Sequence, residues 1–258
     1  MGATKKYIIE KYKDKKIFEV EDTVVKEYAL TIFLNNEQFI TLLCTQKSLD
    51  SLVIGFLYSE KIIKSLDCIE SININENKCH AYVNLKDLSN INEKLYGKRV
   101  ITTGCGKGSI FYDALYSLKK NSLSSTVDMN YENLLKTMKV FNKKSEIFEQ
   151  TGGVHSVSII HKDKILYFEE DIGRHNALDK IIGRCLMNNV NIEDKIIMTS
   201  GRITSEIVLK CARLGIGCII SRSAATDLAI NTSKELNIEV IGFARENKLN
   251  IYNKRTRD

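Results

Sequence analysis

The sequence predicts an α/β protein whose C-terminal half contains a mixed, largely parallel sheet with helices on its faces. From about residue 130 onward, short apolar runs typical of strands alternate with segments of helical periodicity. Glycine, serine and asparagine between these segments are typical of strand ends and helix caps. Predicted strands and helices also occupy the first half of the chain. We therefore divide the 258 residues into domains 1–128 and 129–258, with the polar segment 121–130 as the linker.

The N-terminal domain is predicted to contain strands around a helix. Residues 25–45 form two apolar runs separated by an asparagine pair, which is typical of a hairpin. Ser48 is then a candidate N-cap, because apolar residues follow it at helical spacing. Residues 68–84 are predicted as further strand, and a second helix is expected from about Ile110.

The C-terminal domain is more regular. A helix is predicted over 131–149, ending at the glycines of TGG, and a helix follows the next two strands, with Leu178, Ile181 and Cys185 on its apolar face. Further helices pass through Ile207 and over 226–236. The predicted strands are VHSVSII, ILYFEE, KIIMTS, IGCIIS and IEVIGFA.

The composition limits the classes of ligand and the cellular compartment that we expect for the protein. A net charge of +6 and a pI near 8.8 favour an anionic ligand. The lysines are dispersed and no stripe of arginine with interleaved aromatic residues occurs, so nucleic acid is not predicted as a partner. No apolar run approaches the ~18–20 residues of a membrane span, and the N-terminus lacks the apolar core of a secretory signal. We therefore expect a cytoplasmic protein that does not insert into membranes.

The cysteines give no sign of a metal site. All seven stand at irregular spacing without a C-x-x-C pair, which fits reduced thiols in the cytoplasm. Zinc deaminases carry H-x-E and P-C-x-x-C motifs. Val157 stands two residues after His155 in place of the glutamate, and no C-x-x-C follows. A catalytic metal is therefore not predicted.

Polar clusters follow four predicted strands of the C-terminal domain: EEDIGRHN, SGR, SRSAAT and FARENK. In open α/β sheets, ligands bind at the carboxyl ends of the strands. Guanidinium groups suit phosphate, and helix N-termini add backbone N–H donors. The sequence therefore predicts a site for a phosphate-bearing anion, with these candidate residues: Arg174, Asn176, Arg202, Arg222 and Arg245.

The acidic residues and histidines of these clusters allow more than one interpretation. Glu169, Glu170 and Asp171 either bind a ribose hydroxyl or a guanine edge, or orient a neighbouring arginine. His155 and His175 either have a structural role or donate to phosphate and transfer protons. Since both histidines lie in glycine-bearing polar clusters, we favour the functional interpretation for them.

Cys105 differs from the other cysteines because it lies in a glycine-rich loop, TTGCGKGS. The glycines remove steric bulk from around the thiol, while Lys107 and the following helix N-terminus favour the thiolate. The other six cysteines stand in apolar strand or helix patterns. We predict that Cys105 is reactive, and a mobile loop suits a carrier of persulfide sulfur better than a fixed nucleophile.

Taken together, these stretches resemble the formate dehydrogenase accessory sulfurtransferase family, FdhD/NarQ. The resemblance implies a cytidine deaminase-like C-terminal domain, a smaller N-terminal α/β domain and a homodimer. Seven motifs that carry the resemblance follow one another in order: LDSLVIGFLYSEKII, TTGCGKGS, TGGVHS, EEDIGRHNALDKIIG, SGRITSEIVLK, SRSAATDLAI and GFARENKLNIY.

The resemblance also implies a function. Members of the family take sulfur from a cysteine desulfurase as a persulfide. They pass it to the molybdenum (or tungsten) bis(molybdopterin guanine dinucleotide) cofactor, a bound substrate here, which formate dehydrogenase requires. Cys105 corresponds to the cysteine that carries the persulfide. The family's cofactor-binding stretch corresponds to Phe243, Ala244, Arg245, Glu246, Asn247 and Lys248.

The sequence departs from the family pattern in the cysteine loop and leaves alternatives open. Many relatives carry C-G-x-C-G, but Gly108 occupies the second cysteine position, so the sulfur would be carried on Cys105 alone. Departures at Lys61 and at Thr45-Gln46 concern local structure. One alternative is a chaperone that holds the cofactor without sulfur transfer. The other is a deaminase-like hydrolase, which predicts bound zinc.

Overall fold

The computed structural model describes residues 2–87, 115, 118, 130–192 and 194–256. The helices among them are α1 (Leu49–Ser59), α2 (Tyr131–Lys143), α3 (Glu146–Thr151), α4 (Arg174–Met187), α5 (Ser205–Leu214) and α6 (Asp227–Glu235). The strands are β1 (Thr4–Lys13), β2 (Lys16–Val25), β3 (Tyr28–Leu34), β4 (Glu37–Cys44), β5 (Ile69–Asn75), β6 (His80–Leu85), β7 (His155–His161), β8 (Lys164–Asp171), β9 (Ile196–Thr199), β10 (Cys218–Ser221), β11 (Glu239–Arg245) and β12 (Lys248–Asn253).

Six strands form the main sheet, in the order β12-β11-β10-β9-β7-β8. β9, β10 and β11 run parallel, whereas β12 is antiparallel to β11, and β7 is antiparallel to both β9 and β8. The sheet is mixed, as predicted, but its parallel part is smaller than expected. The reason is that β7–β8 and β11–β12 are hairpins, and strands joined by a tight turn pair antiparallel.

Apolar side chains cover both faces of the main sheet. Helices α4, α5 and α6 pack on one face, against residues such as Ile159 and Ile197. Helix α2 packs on the other face, against residues such as Ile160 and Met198. Burial on both faces explains why these strands are continuous apolar runs in the sequence.

The N-terminal sheet has the order β4-β3-β6-β5, with β3 parallel to β6 and the other pairs antiparallel. Helix α1 covers one face, where Leu52 and Leu57 are fully buried. The predicted boundary between residues 128 and 129 lies outside the described residues, so the division into two domains stays a prediction. Of the helix expected after Ile110, the structure describes Leu115 and Leu118, both helical.

Strands β1 and β2 form a separate two-stranded sheet, which we call the β1–β2 arm. Their register runs from Thr4 opposite Val25 to Lys13 opposite Lys16. The two turn residues between them have φ of 52° and 63°, as a type I′ hairpin turn requires. The arm is absent from the predicted elements because its apolar residues lie on both faces and give no clean alternation. The last strand, β12, is absent from them too.

One predicted local feature is wrong, and a second, the N-cap at Ser48, is confirmed in position but not in its side-chain hydrogen bond. The single helix expected over 131–149 is broken into α2 and α3, because the buried Ser145 hydroxyl bonds to Ser156 and Glu170 at the break. Ser48 does precede α1, but it has a left-handed φ of 53° and makes no cap hydrogen bond. Its hydroxyl donates instead to Glu169 at 3.0 Å.

Helices α1 and α4 cross at very short range, and this crossing joins the two sheets. A Cβ on Gly55 would lie 2.6 Å from the carbonyl carbon of Asp179, and a Cβ on Gly183 would lie 2.7 Å from that of Ser51. Both neighbours are backbone atoms, which cannot turn aside as a flexible side chain can. The crossing therefore requires glycine at both positions.

A buried charge pair lies beside the crossing. Asp179 on α4 accepts hydrogen bonds from Lys210 on α5 at 2.7 and 2.8 Å, and from the Ser59 hydroxyl at the end of α1 at 2.7 Å. Both charged residues are buried. Because loss of one partner of such a pair costs about 3–5 kcal/mol, these contacts fix the three helices relative to one another.

We expect Gly183→Ala to destabilise the protein by about 1–3 kcal/mol, because the new methyl group must displace the backbone of α1. Urea denaturation followed by circular dichroism measures the free energy of unfolding. Gly2→Ala is the control, since nothing lies within 4 Å of its Cβ position. Equal stability of the two variants would contradict the close crossing.

Candidate functional site

The strand directions bring the polar clusters of the main sheet to one edge. β9, β10 and β11 are parallel, and β8 points the same way as β9 because both are antiparallel to β7. The four strands therefore end at one edge, as predicted, and we call this edge the rim. The loops there are tied together: the Arg222 N–H donates to the Thr199 carbonyl at 3.2 Å, and the Phe243 N–H donates to the Ser223 carbonyl at 2.9 Å.

A cavity of about 360 Å³ opens at the rim, on the sheet face that α2 covers. Its lining includes Phe141, Ser145, Phe148, His155, Ser156, Ser200, Arg222 and Arg245. The Arg222 guanidinium lies 5.8 Å from the centre of the Phe148 ring, within range of a cation–π contact. The cavity thus places an aromatic surface beside positive charge, an arrangement suited to a flat ring that carries phosphate.

The helix residues of the cavity wall are absent from the predicted site. Phe141 and Phe148 read in the sequence as ordinary members of an amphipathic helix, and Ser145 as one of its polar positions. They line the cavity because the helix breaks at Ser145. No local pattern in the sequence predicts that break.

A second group of predicted residues lies at the first turns of α4 and α5. The side chain of Arg174 and the ring of His155 come within 3.2 and 3.5 Å of the Cβ position of Gly201, so the two side chains lie close together around this glycine. His175 Nε2 lies 3.0 Å from Glu206 Oε2. That contact lowers the pKa of the Glu206 carboxyl group. Arg202 is exposed beside this group.

Positive charges at the rim act on one another. Burial, with the charges of Arg174 and Arg202, lowers the pKa of His155. Burial and the Arg202 charge lower the pKa of Arg174 as well. His155 is therefore neutral near pH 7 and can donate one hydrogen bond and accept another. Groups whose pKa values shift in this way are typical of functional sites.

The Asp171 carboxylate has a structural role. It is fully buried, lies 2.6 Å from Lys180 Nζ, and accepts hydrogen bonds of 2.9 to 3.0 Å from the N–H groups of Thr45 and Gly173 and from the Asn176 amide. The suggestion that Asp171 reads a guanine edge is therefore wrong, because its acceptor positions are filled. The Asn176 amide nitrogen also donates to a β4 carbonyl. The predicted contact of Asn176 with a cofactor would therefore use the amide oxygen, because the amide nitrogen is already bonded.

The two preceding glutamates point to opposite faces of the sheet. Glu169 lies 2.9 Å from Arg184, which agrees with the interpretation that an acidic residue here orients an arginine. Glu170 accepts a hydrogen bond from the Ser145 hydroxyl, which lines the cavity. Glu170 is thus separated from the cavity by one hydroxyl group.

The stretch Phe243–Lys248 forms the end of β11 and the turn into β12. Phe243 has a φ of 49° and interrupts the register between the strands. Such strain in an aromatic residue is typical of functional sites. Ala244 is fully buried, so neither its side chain nor its backbone is exposed to a ligand in this structure. Arg245 lines the cavity, and its Nε donates to the Arg222 carbonyl at 2.7 Å. The remaining side chains are exposed: Glu246, Asn247 and Lys248.

Cys105, the predicted persulfide carrier, lies outside the described residues. Four of the other six cysteines are buried, and burial raises the pKa of their thiols, to about 12 for Cys44 and Cys185. Cys68 and Cys79 are partly exposed: Cys68 packs against the core of the N-terminal sheet, whereas Cys79 lies between β5 and β6 and not in a strand, which corrects the expected pattern for Cys79. Backbone hydrogen bonds from the preceding turn lower the pKa of Cys68.

Comparison with known proteins gives the family. The model of the FdhD/NarQ family matches residues 25–257. The chain belongs to the FdhD/NarQ family. Its α/β architecture is shared with a solved structure: a crystal structure from Desulfotalea psychrophila, provisionally called a formate dehydrogenase accessory protein, matches with a TM-score of 0.80 over 99% of both chains at 22% identity.

Curated relatives of this FdhD/NarQ protein carry the name sulfur carrier protein FdhD. The one from Listeria monocytogenes serotype 4b is 47% identical over 240 residues, which cover 91% of this chain and 90% of the relative. Those from Bacillus licheniformis and Bacillus subtilis are 43% and 42% identical over 242 residues, which cover 94% of this chain and 92% of each relative.

The described residues contain neither a grouped set of metal ligands nor a membrane-spanning helix. Within them, no three histidine, cysteine, aspartate or glutamate side chains are grouped so as to hold a metal ion. No helix in the same ranges is both long and apolar enough to cross a membrane. The absence of a catalytic metal from this FdhD/NarQ protein stays a prediction.

We expect the pKa of His155 to lie below the ordinary histidine value of about 6.5. Arg174→Gln should raise it, because the substitution removes a positive charge that disfavours the imidazolium. Lys234→Gln, which changes an exposed residue of α6, should not. NMR titration of the four histidines, with His155→Gln to assign the signal, measures these values. An unchanged pKa in Arg174→Gln would contradict the described electrostatics.

Proposed function

We propose that this FdhD/NarQ protein is a cytoplasmic sulfur carrier that serves formate dehydrogenase through Cys105. The observation that carries the proposal is the match of residues 25–257 to the family, together with relatives named sulfur carrier protein at up to 47% identity. A thiol that must cycle through a persulfide needs a reducing compartment, which supports the cytoplasm.

In the proposed reaction, a cysteine desulfurase supplies the sulfur. The Cys105 thiolate attacks the outer sulfur of the desulfurase persulfide, the donor S–S bond breaks, and the desulfurase cysteine leaves as a thiolate. The sulfur is then held on Cys105 as a persulfide, with no net oxidation or reduction. Gly108 occupies the place of a second loop cysteine, so the proposal uses one cysteine throughout.

The proposed acceptor is the molybdenum or tungsten bis(molybdopterin guanine dinucleotide) cofactor, bound as a substrate. The guanidinium groups of Arg174, Arg202, Arg222 and Arg245 suit its phosphates, and neutral His155 can donate to a phosphate oxygen. The cavity volume lies within the ~300–1,000 Å³ common for small-molecule sites. The aromatic surface of Phe148 suits a guanine ring.

A cofactor chaperone without sulfur transfer would use the same rim. The arginines and the nucleotide-sized cavity therefore support cofactor binding, but they do not distinguish a sulfur carrier from a chaperone. The difference lies at Cys105, which a sulfur carrier converts to a persulfide and a chaperone leaves as a thiol.

Cys105→Ala is expected to abolish activation of formate dehydrogenase, because no other thiol would carry the sulfur. Mass spectrometry after incubation with a cysteine desulfurase should find a persulfide on Cys105 of the unsubstituted protein. Cys68→Ala is the matched control, since Cys68 is a partly exposed thiol whose pKa is lowered; it should keep both properties. Full activation by Cys105→Ala would refute sulfur transfer and favour the chaperone.

Arg245→Ala is expected to weaken binding of GDP, used as a probe for the cofactor, by about 1.5–3 kcal/mol, because it removes a charge-assisted hydrogen bond. Calorimetry measures the affinity, and the thermal midpoint checks that the variant is folded. Lys234→Ala removes an equal charge on an exposed part of α6 and should bind GDP normally. Equal affinities for both variants would remove Arg245 from the site.

A further inference from the structure

Glu170 differs from its two acidic neighbours because its buried carboxylate has few partners. It is only 5% exposed, yet within the described ranges the carboxylate accepts a hydrogen bond from one side chain alone, that of Ser145. Asp171 accepts hydrogen bonds from several groups, and Glu169 pairs with Arg184. A carboxylate has about four acceptor positions, and buried charges are normally paired. A buried carboxylate with so few partners points to a role in the cavity beside it.

A chain of hydrogen bonds connects Glu170 to the cavity wall. The Ser145 hydroxyl donates to Glu170 and lies 3.0 Å from the Ser156 hydroxyl, and both serines line the cavity. Ser156 stands opposite Glu170 in the β7–β8 pair, so their side chains share the cavity face of the sheet. Ser145 reaches both groups because it lies at the break between α2 and α3.

The carboxylate fixes the direction of this chain. An ionised carboxylate has no proton to donate, so the one proton of the Ser145 hydroxyl is committed to Glu170. The Ser156 hydroxyl must then donate to the Ser145 oxygen. Both hydroxyl protons are used within the chain, and the two oxygens keep only acceptor positions for a ligand. Linked hydrogen bonds in a buried site strengthen one another, which holds this orientation in place.

Two neighbouring acceptors discriminate between purine bases. Guanine carries two adjacent donors on one edge, the N1–H and the 2-amino group. Adenine carries an acceptor at N1, which would face a hydroxyl oxygen with no proton between them. A site whose polar groups are left unpaired by a ligand rejects that ligand strongly. The direction of the chain therefore favours guanine and opposes adenine.

We propose that Glu170 is a positioning residue that makes the cavity selective for guanine, by holding the Ser145 and Ser156 hydroxyls as acceptors. The inference rests on the proposed function, because it takes the guanine nucleotide part of the cofactor as the ligand of the cavity. Phe148 and Arg222 suit any purine nucleotide, since stacking and phosphate binding do not depend on the base edge. Selectivity requires a group of fixed polarity, and Glu170 supplies it without touching the base.

The test compares GDP, IDP and ADP, which share the phosphates and differ at the base edge; IDP keeps the N1–H of GDP and lacks the 2-amino group. Calorimetry on the unsubstituted full chain should give affinities in the order GDP, IDP, ADP, with GDP at least about tenfold tighter than ADP. In Glu170→Gln, the amide can donate as well as accept, so the Ser145 hydroxyl is free to turn. GDP binding should weaken by about tenfold, while ADP binding stays unchanged or tightens.

Ser145→Ala gives an independent decision, because it removes the acceptor and leaves the buried carboxylate in place. It should lose the same preference for GDP over ADP. Glu169→Gln is the matched control, since it removes an equal charge one residue away, on the opposite face of the sheet. It should keep the GDP-to-ADP ratio of the unsubstituted protein. The thermal midpoint of each variant checks that it is folded.

The outcomes separate this role from a purely structural one. A GDP-to-ADP ratio that persists in both Glu170→Gln and Ser145→Ala, or an equal loss for all three nucleotides, would overturn the role of Glu170. Equal affinities of the unsubstituted protein for GDP and ADP would overturn it as well, while leaving the proposed function standing. Absence of binding by any of the nucleotides would overturn both the inference and the cofactor site on which it rests.

Discussion

The position of the rim depends on the buried carboxylate of Asp171. Lys180, Thr45, Gly173 and Asn176 all donate to it or pair with it. Thr45 follows the last residue of β4, and Gly173 precedes α4, so one charge joins the N-terminal sheet to the helix that begins with Arg174. Because an uncompensated charge in this interior would cost about 3–5 kcal/mol, the loop cannot open at this point without unfolding its surroundings.

The close crossing of α1 and α4 at Gly55 and Gly183 also fixes the position of the rim, because α4 begins there. Gly55 and Gly183 allow the two backbones to touch, and the pair of Asp179 and Lys210 holds α5 against them. The first turns of α4 and α5 are therefore set by packing rather than by a flexible connection. Side chains on such rigid supports are already oriented before a ligand arrives, which reduces the entropy lost on binding.

The sequence predicts the order and type of most elements because apolar periodicity is a local property, and it predicts the shared rim because chain direction follows from alternating strands and helices. The break at Ser145 depends on a contact with Glu170 across the fold, so no local pattern reveals it. The roles of neighbouring acids are hidden for a similar reason. Adjacent residues of a strand point to opposite faces, so Glu170 reaches the cavity side while Asp171 reaches Lys180.

The rim is positively charged because the fold pairs its carboxylates with other groups and leaves its arginines without a carboxylate partner among the described residues. The acidic residues around it are occupied by other groups: Glu169 by Arg184, Glu170 by Ser145, Asp171 by Lys180 and Glu206 by His175. Within the described part of the chain, none of the four rim arginines forms an ion pair with a carboxylate. A polar region of mixed charge in the sequence thus becomes a positive surface in the fold. Since Arg174 and Arg202 repel each other there, a bound phosphate would relieve that repulsion, and affinity for an anion arises from this local imbalance rather than from the net charge of the chain.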